Sequence, residues 1–565
     1  MTEQPMTEQN HPGRVLRDLS HGGIVEPTEV RTAVTRELAE VSTPFDYLFE
    51  TIRDDPAAHL PDDDPAAIVA ALDTLGRLMV ESQPPPQDPF QSGDGNSTIP
   101  AVYTYLGQFV DHDITANTDR PNEIGHVTDA DLHPALPADV IKNLRNLRVP
   151  ALDLDSVYGD GPTFPGGPQT EAASLYDGIT LKLGRIALMS KPGTPPIQGA
   201  RIPLQADLER DVPRGVGDNP LQAGIGDARN DENLIVAQLH VAFLRFHNRT
   251  VDWVRRHEPQ HTDEKTIFER ARQLVRWHYQ WIVINDYLAT IALPGVVDQV
   301  LTEGNTFYDK RAGEVYMPLE FSVASFRFGH TMVRGAYDFN RNFGRQGHVL
   351  PSAPFDQIFR FTGKGGFGGQ ADTLPFNWVI EWDRLVEKDP RFPDHFSRKI
   401  DTRLAFALGE MANEIPNPAP GPDITAILEQ LAVRNLRRGY QLSIPTGQAV
   451  AEVLNLVPLT QEELRQGNSD ELNTHLANSG FLDRTPLWYY VLKEAEVQSN
   501  GNSLGELGSR IVVETLVGQV RHDPGSFLGR SPSWVPEDGV LLPDGRPILT
   551  IKDFLRFAGV LPTRP

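Results

Sequence analysis

The chain has 565 residues, with 52 basic and 76 acidic side chains and a formal net charge of −24. That acidic excess argues against a nucleic-acid-binding protein, which neutralises phosphates with Lys and Arg, and against a polybasic membrane-surface protein. There are no cysteines, which excludes disulfide scaffolds, Cys-ligated zinc, iron–sulfur clusters and thiolate catalysis, and leaves the redox compartment open.

Met1–Val30 shows no cationic segment followed by an apolar one, so the expectation is a cytoplasmic protein or one exported without a Sec-type signal. From about Ala33 to Leu78 the pattern predicts short helices. Ser82–Pro100, with Pro84, Pro85 and Pro86 in a row, predicts an extended connection wrapping a body. From Ile99 to about Gly518 the dominant signal is helical. Leu234, Leu239, Ala242 and Phe246 follow one buried stripe, and Thr266–Leu293, Ile424–Leu436 and Thr446–Leu456 read the same way. The β-branched alternation of consecutive strands is missing. No apolar run reaches the roughly 18 residues of a membrane span; Trp281–Val297 is broken by Asn285, Asp286 and Pro294. The predicted fold class is mainly α. It consists of an N-terminal arm (1–95), one large helical domain (96–520) and a C-terminal extension (521–565) packed on that domain.

Three pattern matches are set aside on physical grounds. His257–His261 spells H-E-x-x-H, but Pro259 disfavours the continuous helix that two zinc-binding imidazoles need, so a helix end is expected. Gly501–Gly505 spells G-x-S-x-G without a buried strand before it, which predicts a polar turn. Lys364–Gly369 lacks the Lys-Ser/Thr of a phosphate loop and reads as a loop.

Four segments carry chemistry. In Tyr103–Asp113 (YTYLGQFVDHD), Gln108 is four residues from His112 and three from Asp111, so the three share a helix face. Such polar groups are costly to bury without partners. Gly226–Asn233 (GDARNDEN) sets Arg229 and Glu232 three apart, just before an amphipathic run. Ser325–Thr331 (SFRFGHT) offers His330 behind Phe326 and Phe328. Leu431–Gly439 (LAVRNLRRG) places Asn435 at the end of an apolar helix, with Arg438 after it.

In this order and wording the four segments resemble the animal-type haem peroxidases of the peroxidase–cyclooxygenase superfamily, in a bacterial-type member. The resemblance implies a mainly helical fold around haem b. It implies His112 over the iron as acid–base catalyst, Gln108 as a group positioning halide and water, and Arg229 as the catalytic arginine. It also implies Asp111 and Glu232 as carboxylates esterified to haem, His330 as the iron ligand, Asn435 as partner of its other ring nitrogen, and Arg438 as a propionate contact. Chemistry asks for the same types. A neutral imidazole moves the peroxide proton, a fixed guanidinium stabilises developing negative charge, and a second hydrogen bond sets the tautomer of a ligating His. The carbonyl of Asn435 is expected to accept that bond.

Asp113, with Val149–Gly159 (VPALDLDSVYG), resembles the family's calcium site. Asp113, Asp153 and Asp155 would supply carboxylates and Val149 and Ala151 carbonyls, the all-oxygen set that Ca2+ favours. Val149 and Asp155 stand where the family often has Thr and Ser. Asn233 stands where some members carry a methionine bonded to haem through sulfur, a bond Asn cannot make. Arg327 stands where cyclooxygenases carry a radical tyrosine, which disfavours fatty-acid oxygenation by that route. The expected activity is oxidation of halides, thiocyanate or small organic donors by hydrogen peroxide, bromide and iodide before chloride. The alternatives are a fatty-acid dioxygenase or hydroperoxide-processing enzyme on the same scaffold, and a haem- and calcium-binding protein without turnover. The sequence leaves the oligomeric state open.

Overall fold

Helix starts in this chain are written as capping residues. Asp64, Asn233 and Asp263 each accept a backbone N–H from the first turn of the helix that follows, at 3.0 to 3.1 Å. The computed structural model describes residues 43–82, 95–118, 126–167, 169–187, 208–215, 221–309, 314–343, 353–363, 372–388, 395–411, 414–415 and 419–561. The readings of Met1–Val30 and Lys364–Gly369 lie outside these, as does much of the 1–95 arm. The principal helices are α1 (Pro65–Leu78), α2 (Val102–Ile114), α3 (Leu234–His257) and α4 (Glu264–Ile282). After them come α5 (Leu431–Gln441), α6 (Leu487–Ser499), α7 (Glu506–His522) and α8 (Ile551–Phe557). The fold is mainly helical, as expected, and among the described residues no helix is long and apolar enough to cross a membrane.

Strands are short and serve as ties: β1 (Thr43–Asp46), β2 (Asn96–Pro100), β3 (Asn117–Thr118), β4 (Arg145–Asn146), β5 (Met317–Pro318) and β6 (Phe396–Arg398). Sheet order is β3-β4-β1-β5, with β1 antiparallel to β4 (Thr43 opposite Asn146) and parallel to β5 (Phe45 opposite Met317). Thr43–Asp46 is therefore strand where short helices were expected. Its backbone is claimed by two neighbours distant in sequence. β2 pairs antiparallel with β6, Pro100 facing Phe396, and delivers the chain directly into α2.

The helical run expected over Ile424–Leu436 is two helices, Pro422–Leu428 and α5. Asn435 lies mid-helix and Arg438 inside the same helix, which ends only at Gln441. The amphipathic stripe runs on past Asn435, where an end was expected, with Arg438 and Tyr440 buried in the same helix. Beyond α4 the chain continues through a widened turn, Val283–Leu288, in which Asp286 interrupts the apolar pattern. As read from Pro259, α3 stops at His257; Glu258 then binds Arg270 (2.8 Å) and His261 (3.3 Å), and Gly501–Gly505 is a turn before α7.

Stacked aromatic rings fix the helix carrying Gln108 and His112. Phe109 of α2 lies flat on Phe243 of α3, centroids 4.3 Å apart, and Tyr279 of α4 meets both edge-on. Phe554 of α8 continues the stack onto Phe246 at 4.2 Å. Phe243→Ala removes the ring shared by three helices. It should cost about 3–5 kcal/mol, read as a lowered denaturation midpoint with an unchanged slope. A loss below about 1 kcal/mol would mean that the stack is not what anchors α2.

Candidate functional site

One cavity gathers the four motif segments. Its wall includes Gln108 and Asp111 from α2, Arg229 and Glu232 from the turn before α3, His330 from the Ser325–His330 turn, and Asn435 and Arg438 from α5. Apolar lining comes from Tyr287, Phe326, Phe355, Ile358, Leu408 and Leu431 among others. Tyr287 approaches α2 at Gly107, where a Cβ would lie 2.5 Å from its hydroxyl, so a residue without a side chain is required.

Arg229 is held on three sides. Its Nε and Nη2 donate to Asp227 (3.0 and 2.7 Å), Nη2 also to the His112 carbonyl (2.8 Å), and Nη1 to the Thr115 carbonyl (2.8 Å). Of five guanidinium N–H bonds, one on Nη1 is left for a ligand in the cavity. Asp227 also receives the buried Arg148 at 2.5 Å. Burial alone would raise the Asp227 carboxyl, but the two guanidiniums outweigh it and hold it far below the usual carboxylate range.

Gln108 accepts from Asn233 Nδ2 at 3.1 Å, leaving its own NH2 to the cavity. Asn233, noted in the sequence for what it lacks, thus has two tasks, since its oxygen caps α3. Asp111 makes no side-chain hydrogen bond or ion pair among the described residues, and burial pushes its carboxyl up despite Arg229 and Arg327.

His112 is placed differently from expectation. It lies one turn from Gln108 on the same face, is 0% exposed, and is not part of the cavity wall. Its Nδ1 lies 2.9 Å from Asn230 Oδ1. Burial, reinforced by Arg229, lowers its pKa to about 3, so the ring is neutral at ordinary pH.

At His330 the expected partner is present, but the amide is reversed. Asn435 Nδ2 lies 2.8 Å from His330 Nδ1, while Asn435 Oδ1 accepts from Arg327 Nη1 at 2.9 Å. A guanidinium can only donate, so it claims the carbonyl and turns the NH2 to the imidazole. In this state the His330 proton belongs on Nε2. Metal ligation through Nε2 needs it on Nδ1, and hence the amide turned over. Burial, with Arg327 and Arg434, lowers His330 to about 3 and keeps it neutral. Arg438 bonds Gln441 Oε1 at 3.2 Å, and Arg434 pairs with Glu414 at 3.4 Å.

Carboxylate oxygens of Asp113, Asp153 and Asp155 come within 4.8 Å of one another. Burial and the neighbouring Asp153 push Asp113 up to about 7, and burial also raises Asp155 against the pull of Arg148. The loop holds Leu152 and Leu154 at positive φ, 50° and 62°, where non-glycine residues are rarely found. The Val149 and Ala151 carbonyls already accept from Ala151 N–H (2.8 Å) and Gln280 Nε2 (3.3 Å). Arg148 bridges this loop to the cavity, at 3.1 Å from Asp155. Arg148, Asp227 and Asn230 were not singled out in the sequence. Asp227 alone carried a signal, being an acidic residue two before Arg229 at a helical start.

The chemistry of this donor set fits a haem. A neutral imidazole that could ligate once the Asn435 amide turns over, a half-buried Asp111 carboxylate without a hydrogen-bond partner among the described residues, and an amide NH2 face the same space, and Arg438 supplies a cation for a propionate.

Comparison with known proteins agrees. The family model described as animal haem peroxidase matches residues 182–364, which hold Arg229, Glu232 and His330. The chain is 27% identical over 329 residues to a peroxidasin homologue of Caenorhabditis elegans, spanning 57% of this chain and 22% of that protein. It is 31% identical over 176 residues to dual oxidase 1 of the same animal, covering 31% of this chain and 11% of that protein. Among solved structures, peroxidase A of Dictyostelium discoideum superposes with a TM-score of 0.55 at 16% identity, covering 93% of this chain and 95% of that one. A fatty acid alpha-dioxygenase of Arabidopsis thaliana gives 0.51 at 13% identity, over 91% and 76%. These two similarities concern the fold.

The acidic cluster yields a direct test. Calcium added to metal-stripped protein should raise the melting temperature in proportion to the logarithm of its concentration, and chelation should reverse the gain. Asp153→Ala should abolish the response. An equal calcium response in that variant would remove the cluster as the site.

Proposed function

We propose that this chain is a member of the animal haem peroxidase family and oxidises small anionic and organic donors with hydrogen peroxide. One observation carries the reading. Gln108, Asp111, Arg229, Glu232, His330, Asn435 and Arg438 line a single cavity, with donor-only, acceptor and neutral-imidazole groups separately held.

Haem held here would supply the redox chemistry that couples reduction of peroxide to oxidation of the donor. His330 would ligate it, Arg438 would meet a propionate, and Asp111 and Glu232 are the carboxylates proposed to form esters with it. The remaining work belongs to the chain. Gln108, fixed by Asn233, orients peroxide or a halide with its NH2. The remaining N–H of Arg229 stabilises negative charge on the departing oxygen; its positive charge is permanent and its position is set by four hydrogen bonds. His112, neutral and one turn from Gln108 but behind the wall in this state, would accept the peroxide proton and return it to the leaving oxygen once its ring reaches the cavity. Asp113, Asp153 and Asp155 are proposed to bind Ca2+.

His330→Ala should lose haem after reconstitution and, with it, the peroxide-dependent change in the optical spectrum. His112→Ala should keep haem while slowing that change by about a hundredfold. Full haem content with unaltered turnover in His330→Ala would reject the assignment of the ligand.

Donor range follows from Asn233. A thioether bond to haem withdraws electron density and strengthens the oxidant, and Asn cannot form one. Bromide, iodide and thiocyanate should be turned over, and chloride, the hardest of these to oxidise, should be poor. Steady-state halogenation of a trap molecule at matched anion concentrations measures this. Chloride as fast as bromide would place the control of potential elsewhere. Apolar lining by Phe326, Phe355, Ile358 and Leu431 favours a second reading, oxygenation of a fatty acid. Against it, position 327 holds an arginine engaged with Asn435. Fatty-acid oxygenation without anion turnover would establish that reading instead.

A further inference from the structure

Behind the cavity wall one amide joins two buried imidazoles. Asn230 Oδ1 lies 2.9 Å from His112 Nδ1, and Asn230 Nδ2 lies 3.1 Å from Nδ1 of His240. All three side chains are 0% exposed. His240 sits on α3, its ring 6.2 Å from that of Phe109, and burial lowers its pKa to about 3, so it carries one ring proton.

An amide accepts on one side and donates on the other. With its oxygen toward His112, that ring must carry Nδ1–H and leave Nε2 bare. The NH2 then faces His240, whose Nδ1 must be bare and whose proton must lie on Nε2. Turning the amide over reverses everything: His112 becomes Nε2–H and His240 becomes Nδ1–H. Any mixed assignment sets N–H against N–H, or lone pair against lone pair, in a place without water access. The tautomers of the two rings are therefore tied together, although the rings do not touch.

We infer that Asn230 and His240 form a tautomer relay that sets which ring nitrogen of His112 carries the proton, Nε2 being the unprotonated one while the Asn230 carbonyl faces His112, which makes His240 a positioning residue for the proton acceptor. This rests on the role proposed above for His112. The relay has a cost that shows in the structure: His240 Nε2, which must hold the proton, has no hydrogen-bond partner.

Neutron diffraction from deuterated crystals of the haem-loaded protein reads the relay directly. Deuterium is expected on His112 Nδ1 and His240 Nε2, with none on His112 Nε2. Deuterium on His112 Nε2 overturns the relay whatever the kinetics. Cyanide association with the ferric protein reads the consequence, because hydrogen cyanide must give its proton to the same base. Asn230→Leu and His240→Leu should each slow it by about tenfold or more. His240→Gln, whose side-chain oxygen accepts from Asn230 in the same way, should recover rate relative to His240→Leu. If both leucine variants bind cyanide at the wild-type rate while His112→Ala is slow, the positioning role is wrong and the assignment of His112 stands. If His112→Ala is also as fast as wild type, the assignment of His112 fails, and the positioning role with it.

Discussion

One carboxylate, that of Asp227, is shared by two buried guanidiniums, and the geometry of the cavity depends on it. Arg229 reaches it through Nε and Nη2, Arg148 through Nη2, and the Arg229 backbone N–H donates to it as well. Removing one partner of such a buried pair strands the other's charge, at a cost of several kcal/mol. The triad fixes Arg229 against the carbonyls at the end of α2, and so the distance between that helix and the turn before α3. Close backbone contact completes the junction: a Cβ on Gly226 would lie 2.4 Å from the Ser156 carbonyl, so the acidic loop packs directly on the segment carrying Asp227.

The same triad gives the acidic loop a reason for its charge. Asp113, Asp153, Asp155 and Asp227 face Arg148 and Arg229. Fully ionised, four carboxylates against two guanidiniums leave two negative charges in a buried space, the amount that a divalent cation cancels. Burial above all, with the neighbouring carboxylates, pushes Asp113 and Asp155 upward, while Asp227, flanked by both arginines, stays ionised. The acidic cluster and Arg229 are thus two ends of one charge arrangement, coupled through Arg148.

What was legible in the sequence was whatever lies within a helical turn. Gln108 with Asp111, and Arg229 with Glu232, could be placed on common faces from spacing alone, and all four line the cavity. The family resemblance added His330, Asn435 and Arg438, which line it too. Contacts between distant segments were not legible. Arg148 and Asp227 are 79 residues apart, and an arginine followed by proline two positions on carries no local mark of its role. His112 shows the limit most plainly: its place on the helix was right, yet the ring lies behind the cavity wall, where Asn230 draws it. The direction of the Asn435 amide depended on Arg327, which lies 108 residues away.

The two asparagines that touch the functional imidazoles transmit different instructions for one reason. Asn435 is governed by a guanidinium, which has no acceptor and so leaves the amide one orientation while the two remain in contact. Ligation of a metal by His330 through Nε2 would have to work against that contact. Asn230 is governed instead by a neutral ring with two tautomers, so neither orientation is excluded by its partner's chemistry. What selects between them is the surroundings of His240 Nε2, a nitrogen on the far side of the ring from the amide. An acceptor at that nitrogen would favour the arrangement that leaves Nε2 of His112 unprotonated, and among the described residues there is none. Burial of His240 in the stack beside Phe109 is therefore a constraint on the proton acceptor as well as on the core.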